Sequence, residues 1–169
     1  KTLLETGAPL PDQTVHFDQP PDDVAADWHR AQGVECNNGC WEMIEAERNA
    51  SNDEELLRRA YASAYHWQRA ARRRPENEAR ALWMLSKAHL LAEQPERALH
   101  YAEACEALCS QNGLADFDLA YAHEAAARAL QALGHPADAA RHWAAAHDVP
   151  IADPEDKAIL DADLAVPLV

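Results

Sequence analysis

The stretch ARALWMLSKAHLLAEQPERALHYAEACEAL, residues 79–108, reads as two helices with a break between them. Apolar and small residues recur at helical spacing as far as Leu91, Gln94-Pro95 interrupts, and an alanine-rich run resumes. Pro95 stands where a first helical turn tolerates proline. The same plan returns in AYAHEAAARALQALGHPADAARHWAAAHDV, residues 120–149, with the break at Gly134-His135-Pro136. At a shift of 41 residues, Ala98 falls opposite Ala139, Tyr101 opposite His142, Ala102 opposite Trp143 and Cys105 opposite Ala146. One helix pair cannot bury its apolar face alone. Repeated pairs share a core by stacking, and the end units need capping.

Outward from this repeat the chain stays helical. SNDEELLRRAYASAYHWQRAARRR predicts a helix from Ser51 or Asn52 to Pro75, with Leu56, Ala60, Ala64 and Trp67 along one stripe. Glu54 and Glu55 suit its first turn and Arg72, Arg73 and Arg74 its last, as the helix dipole prefers. Before it, the pattern predicts two short helices, 22–32 ending at Gly33 and 38–50 opening at Asn37 or Asn38. The remaining helices are expected over 76–93, 95–111, 116–134, 136–148 and 153–164, the last capped by Asp153 with Pro154 at its first position. The expected fold is all-α: a solenoid of antiparallel helix pairs, seven to eight helices in all, with no strand. The short connections of the second half make consecutive helices antiparallel neighbours. Residues 1–21, with four prolines and no sustained period, predict an extended arm. Residues 22–169 are expected to form one domain, with the short helices 22–32 and 153–164 as caps.

Composition agrees. The 169 residues are 48% hydrophobic, enough for a continuous core, and only five are glycine. No apolar run approaches the roughly 20 residues of a membrane span. KTLLETGAPL has neither a long apolar stretch nor a small-residue cleavage site, so no signal peptide is read there and a cytoplasmic protein is expected. The net charge of −14 argues against nucleic acid as a partner. It is uneven: residues 1–57 carry −10, whereas residues 58–80 carry +5.

The helix–break–helix unit, with Ala98 and Ala139 at matching seams, resembles the tetratricopeptide repeat in a form longer than the usual 34-residue unit. The likeness spans residues 79–148 and extends over 38–78, where Ala60 is laid opposite Ala98. Ser86 and Ala127 stand where the family has glycine, and both are small enough for close packing. The resemblance implies protein or peptide binding as the task, with the first helix of each unit lining the inner surface. Carried onto this chain, that surface takes Arg80, Trp83 and Lys87 from one unit and Tyr121, Glu124 and Arg128 from the next. The mixed basic and aromatic groove suits an extended peptide with an acidic group. The asparagine of the carboxylate clamp in chaperone-binding members is missing from it. An equally simple reading makes Trp83 and Tyr121 core residues. The partner is expected to be a protein or peptide, a second copy of the chain included.

Other residues suggest chemistry less. Cys36 and Cys40, and again Cys105 and Cys109, are spaced i, i+4; Cys105 falls where the family prefers alanine, and a thiol is a small, readily buried hydrophobe. His123-Glu124 lacks the second histidine of a zinc-protease helix, and 153–164 lacks the glycine and terminal glutamate of a calcium loop. No phosphate loop or nucleophile elbow is present. A non-enzymatic protein without metal or cofactor is therefore expected. The alternative is a small-molecule- or metal-binding protein whose pocket between helices is walled by His66, His89, His123 and nearby acids. The arginines of residues 58–80 read as a solvated face paired with the chain's own acids, or as a site for an acidic partner.

Overall fold

The computed structural model describes residues 22–168, so the proline-rich arm expected over 1–21 lies outside the described residues. Seven helices follow one another there: α1 (Asp22–Glu45), α2 (Ala50–Trp67), α3 (Pro75–Leu91), α4 (Pro95–Asn112), α5 (Phe117–Ala132), α6 (Pro136–Asp148) and α7 (Pro154–Leu164). No strand occurs among the described residues.

The 41-residue period is written into the backbone as well as the sequence. Among the described residues four positions have positive φ: Arg72 (50°), Glu93 (56°), Gly113 (67°) and Gly134 (78°). They form two pairs 41 residues apart, Arg72 with Gly113 and Glu93 with Gly134. The first pair turns α2 into α3 and α4 into α5; the second turns α3 into α4 and α5 into α6. Around the second pair even the hydrogen bonds repeat. The Gln94 N–H reaches the His89 carbonyl at 2.9 Å, and the His135 N–H reaches the Leu130 carbonyl at 2.9 Å. Glycine adopts this left-handed backbone without steric cost, whereas Arg72 and Glu93 hold it at a cost.

From α1 to α6 each helix packs on the next, and α1, α3, α5 and α7 also touch in series, forming one layer. Contacts of that strength between α2, α4 and α6 are absent among the described residues. Alanine makes the seams close. Ala98, Ala102, Ala122, Ala126, Ala129 and Ala139 are all fully buried, which lets the helix backbones approach. Larger side chains fill the ends: Leu56, Met84 and Leu85 between α1, α2 and α3, and Leu160 and Leu164 between α7 and α5.

Three boundaries differ from expectation. The two short helices expected over 22–50 are one helix, α1, which runs through Gly33. Gly33 is a contact point: a Cβ there would lie 3.2 Å from the Trp67 ring, and its carbonyl accepts the Ser63 hydroxyl at 3.0 Å. The first expected cap is therefore only the opening half of α1. Second, α2 is capped by Asn49, whose side chain accepts the Asn52 N–H at 3.0 Å, and it ends at Trp67. Arg72, Arg73 and Arg74 lie in the following turn, held by the Ala71 N–H on the Ala26 carbonyl at 2.9 Å. Third, the buried set Leu56, Ala60, Ser63 matches Ala98, Ala102, Cys105 at a shift of 42, so Leu56 and not Ala60 stands opposite Ala98. The Ser63 bond to Gly33 has its counterpart in the Cys105 thiol, 3.2 Å from the Ala79 carbonyl. Asp153 caps α7 as expected, accepting from the Glu155 and Asp156 N–H groups.

Candidate ligand-binding face

Residues three or four apart on a helix share a face. Arg80, Trp83 and Lys87 therefore line one side of α3, and Tyr121, Glu124 and Arg128 one side of α5. Because α3 and α5 are neighbours in the same layer, the fold brings all six together. They border two adjacent cavities of about 330 Å³ each, which share Trp83 and Asp163. Arg80, Trp83 and Tyr121 face the first; Trp83, Lys87, Glu124 and Arg128 face the second.

An aromatic row walls the first cavity. Trp41 of α1 lies 5.7 Å from Trp83 between ring centroids, Trp83 lies 5.5 Å from Tyr121, and Tyr121 lies 4.7 Å from Phe117. Carboxylates rim it: Asp118 from α5, and Asp156 and Asp163 from α7. The Tyr121 hydroxyl donates to Asp163 at 2.5 Å. Burial, reinforced by that bond, pushes the phenol well above its ordinary pKa, so it stays protonated as a donor.

The groove expected to be basic has its cations already occupied. Arg80 Nε lies 2.8 Å from Asp118, and this bond raises the arginine's pKa further. Arg128 pairs with Glu124, donates to the carbonyls of Asp163 (3.1 Å) and Val166 (3.3 Å), and covers the Trp143 ring at 5.0 Å. Lys87 sits with its ammonium 5.3 Å from the Trp83 ring centre. The first cavity thus has one cation, Arg80, against three aspartates. The Asp156 carboxylate has neither hydrogen bond nor ion pair among the described residues. An acidic ligand group would meet repulsion there. The choice between exposed and core roles divides: Tyr121 and Glu124 are 7% and 5% exposed, whereas Trp83 is half-buried and open to both cavities.

No protein family, curated protein or solved structure matches the chain.

Trp41, Phe117, Asp118, Asp156 and Asp163 were not anticipated as site residues. Asp118 and Asp156 sit in first helical turns, where acids are common for local reasons. The legible signal was the spacing of Asp156, Ile159 and Asp163, which share one face of α7 and all border the first cavity.

Of the other candidates, Cys105 also borders the first cavity, and the rest fall elsewhere. Cys40 is fully buried among Leu56, Ala60 and Met84, and burial pushes its thiol up to about 12. Cys105 and Cys109 are buried in a different cluster with Ala79 and Ala122. The Cys109 contact, then burial, keeps the Cys105 thiol protonated, so it fills space and donates to a carbonyl. His66 faces His29, Nδ1 to Nδ1 at 2.8 Å, beside Trp28. His89 is bonded to Tyr61 and Gln94, each at 2.9 Å. His123 meets His142 and Glu106. These three environments share no residue, so His66, His89 and His123 do not wall one pocket. The arginine run is knit into the chain's own acids: Arg58 to Glu54 and Glu55, Arg59 to Glu55 and Glu42, Arg72 to Asp27.

Proposed function

We propose that the chain is a tetratricopeptide-like repeat, acting in the cytoplasm without catalysis, and that it binds a partner protein on the layer formed by α1, α3, α5 and α7. The first cavity receives a basic side chain, lysine or arginine, presented by an extended segment of that partner. One observation carries this reading: four aromatic rings in a row face three aspartates, one of which, Asp156, has no partner among the described residues. Aromatic faces attract cations through their quadrupole, and carboxylates near them add charge complementarity. A volume near 330 Å³ suits a side chain better than a large cofactor. The repeat reading is supported by the paired positive-φ turns and by the series of contacts among odd-numbered helices.

The test is a fluorescence titration with three short peptides of equal length, carrying lysine and arginine, glutamate, or only neutral residues. The basic peptide is expected to bind saturably, more weakly at high salt, and to lose most of its affinity in Trp83→Leu and Asp156→Asn. Preference for the glutamate peptide would refute the cationic reading. Absence of binding by all three would refute the site.

A further inference from the structure

Three helices bring three metal-ligating side chains to one point on a side of the molecule that neither cavity reaches. Glu106 comes from α4, His123 from α5 and His142 from α6. The two imidazoles face each other, Nδ1 to Nδ1, at 3.3 Å. Each also faces the same carboxylate: His123 Nδ1 lies 3.7 Å from Glu106 Oε1, and His142 Nδ1 lies 3.7 Å from Glu106 Oε2. One ligating atom from each residue lies within 4.8 Å of the others.

These separations are those of atoms sharing an ion. Zinc bound at about 2.0–2.1 Å in a tetrahedron sets its ligands about 3.3–3.4 Å apart. The imidazole pair meets that spacing as it stands, and a small rotation of the flexible carboxylate meets it from 3.7 Å. The gap to Glu106 is too long for a direct hydrogen bond. The ring–ring contact alone does not account for a carboxylate turned toward both rings. All three residues are half-buried, so solvent reaches the cluster.

We infer that Glu106, His123 and His142 form a three-ligand site for a divalent transition ion, zinc in the first instance, with water completing the coordination. Two imidazoles and one carboxylate suit zinc and its first-row neighbours rather than calcium or magnesium, which take oxygen ligands. The ion would tie α4, α5 and α6 together across the turn from one repeat to the next. The sequence hid this site because its ligands are 17 and 19 residues apart and match no metal motif.

The experiment is equilibrium dialysis of the purified chain with zinc, with thermal unfolding of the same samples. One tightly held ion per chain and a higher Tm are expected, both lost in Glu106→Gln and in His142→Asn, and both retained in His29→Asn. Cobalt substitution supplies a second readout on the unaltered chain. It should give the intense visible bands of a tetrahedral site without thiolate-to-metal charge transfer in the near ultraviolet. No stoichiometric zinc, binding that survives both ligand variants, loss in His29→Asn, or a thiolate band would each overturn the assignment.

Discussion

Glu93 holds, at φ 56°, the backbone position that Gly134 holds at φ 78° one repeat later. The two residues end equivalent helices and start equivalent turns, but only one has the side chain suited to the conformation. A left-handed φ costs an L-residue about 1–2 kcal/mol, and glycine's greater unfolded-state freedom offsets part of that. Glu93→Gly is therefore expected to stabilise the chain by about 0.5–1 kcal/mol. Gly134→Ala is expected to destabilise it by about 1 kcal/mol, with no clash involved, since a Cβ at Gly134 meets nothing within 4 Å. Denaturant midpoints at unchanged m-value would measure both. Shifts of the same sign would mean that the two turns are not equivalent.

Cys105 and Ser63 make the same bond to the preceding helix, from thiol and hydroxyl respectively. Cys105→Ser should therefore be tolerated, at a cost below about 1 kcal/mol, because the hydroxyl can reach the Ala79 carbonyl. Cys105→Leu should cost about 1–3 kcal/mol by overpacking a site that is only 1% exposed. Equal losses from both substitutions would show that the sulfur itself matters.

His89 sits in a chain of hydrogen bonds across α2, α3 and α4. Gln94 Oε1 accepts from Nδ1–H, so Nε2 accepts from the Tyr61 hydroxyl, which in turn accepts from Tyr101 at 3.0 Å. Burial, with Arg97 adding to it, holds the His89 pKa below its ordinary value, although the Gln94 bond opposes this. A histidine with a lowered folded-state pKa binds fewer protons folded than unfolded. Its contribution is intact above the unfolded pKa of about 6.5 and is lost as pH falls from there through the folded value. Unfolding midpoints should thus drop as pH falls below about 6.5, and His89→Gln should show a shallower drop. An unchanged slope in that variant would assign the acid sensitivity to other groups. At neutral pH, Tyr61→Phe should cost about 1–2 kcal/mol by leaving Nε2 without its donor.

Leu160 and Leu164 anchor α7, which also carries Asp156 and Asp163 to the first cavity. Leu160→Ala should cost about 2–5 kcal/mol, as a large-to-small change at a site only 2% exposed. It should weaken binding of a basic peptide in the same variant by loosening the acidic rim. Full affinity with reduced stability would remove α7 from the binding face.

The helices of the second half were legible because proline and glycine mark their ends and alanine periodicity fills them. The first half was harder to read. Gly33 looks like a stop in sequence, yet it is the place where Trp67 and Ser63 lie against α1. Helical spacing sets three of the six groove residues on each helix, and they meet because α3 and α5 lie side by side. Their electrostatics were not legible, since the partners Asp118 and Asp163 come from 38 and 42 residues away in the chain. Tertiary pairing set which carboxylates reach the cavity, and the spacing of Asp156 and Asp163 on one face of α7 is the local trace of it.

The five tryptophans give five indole N–H signals by nuclear magnetic resonance, and two of these residues, Trp41 and Trp83, border the first cavity. Titration with a lysine-containing peptide should shift the Trp41 and Trp83 signals together and saturably, while Trp28 and Trp67 stay still. Unmoved Trp41 and Trp83 signals, or an equal response to a glutamate peptide, would contradict a cation site on this face.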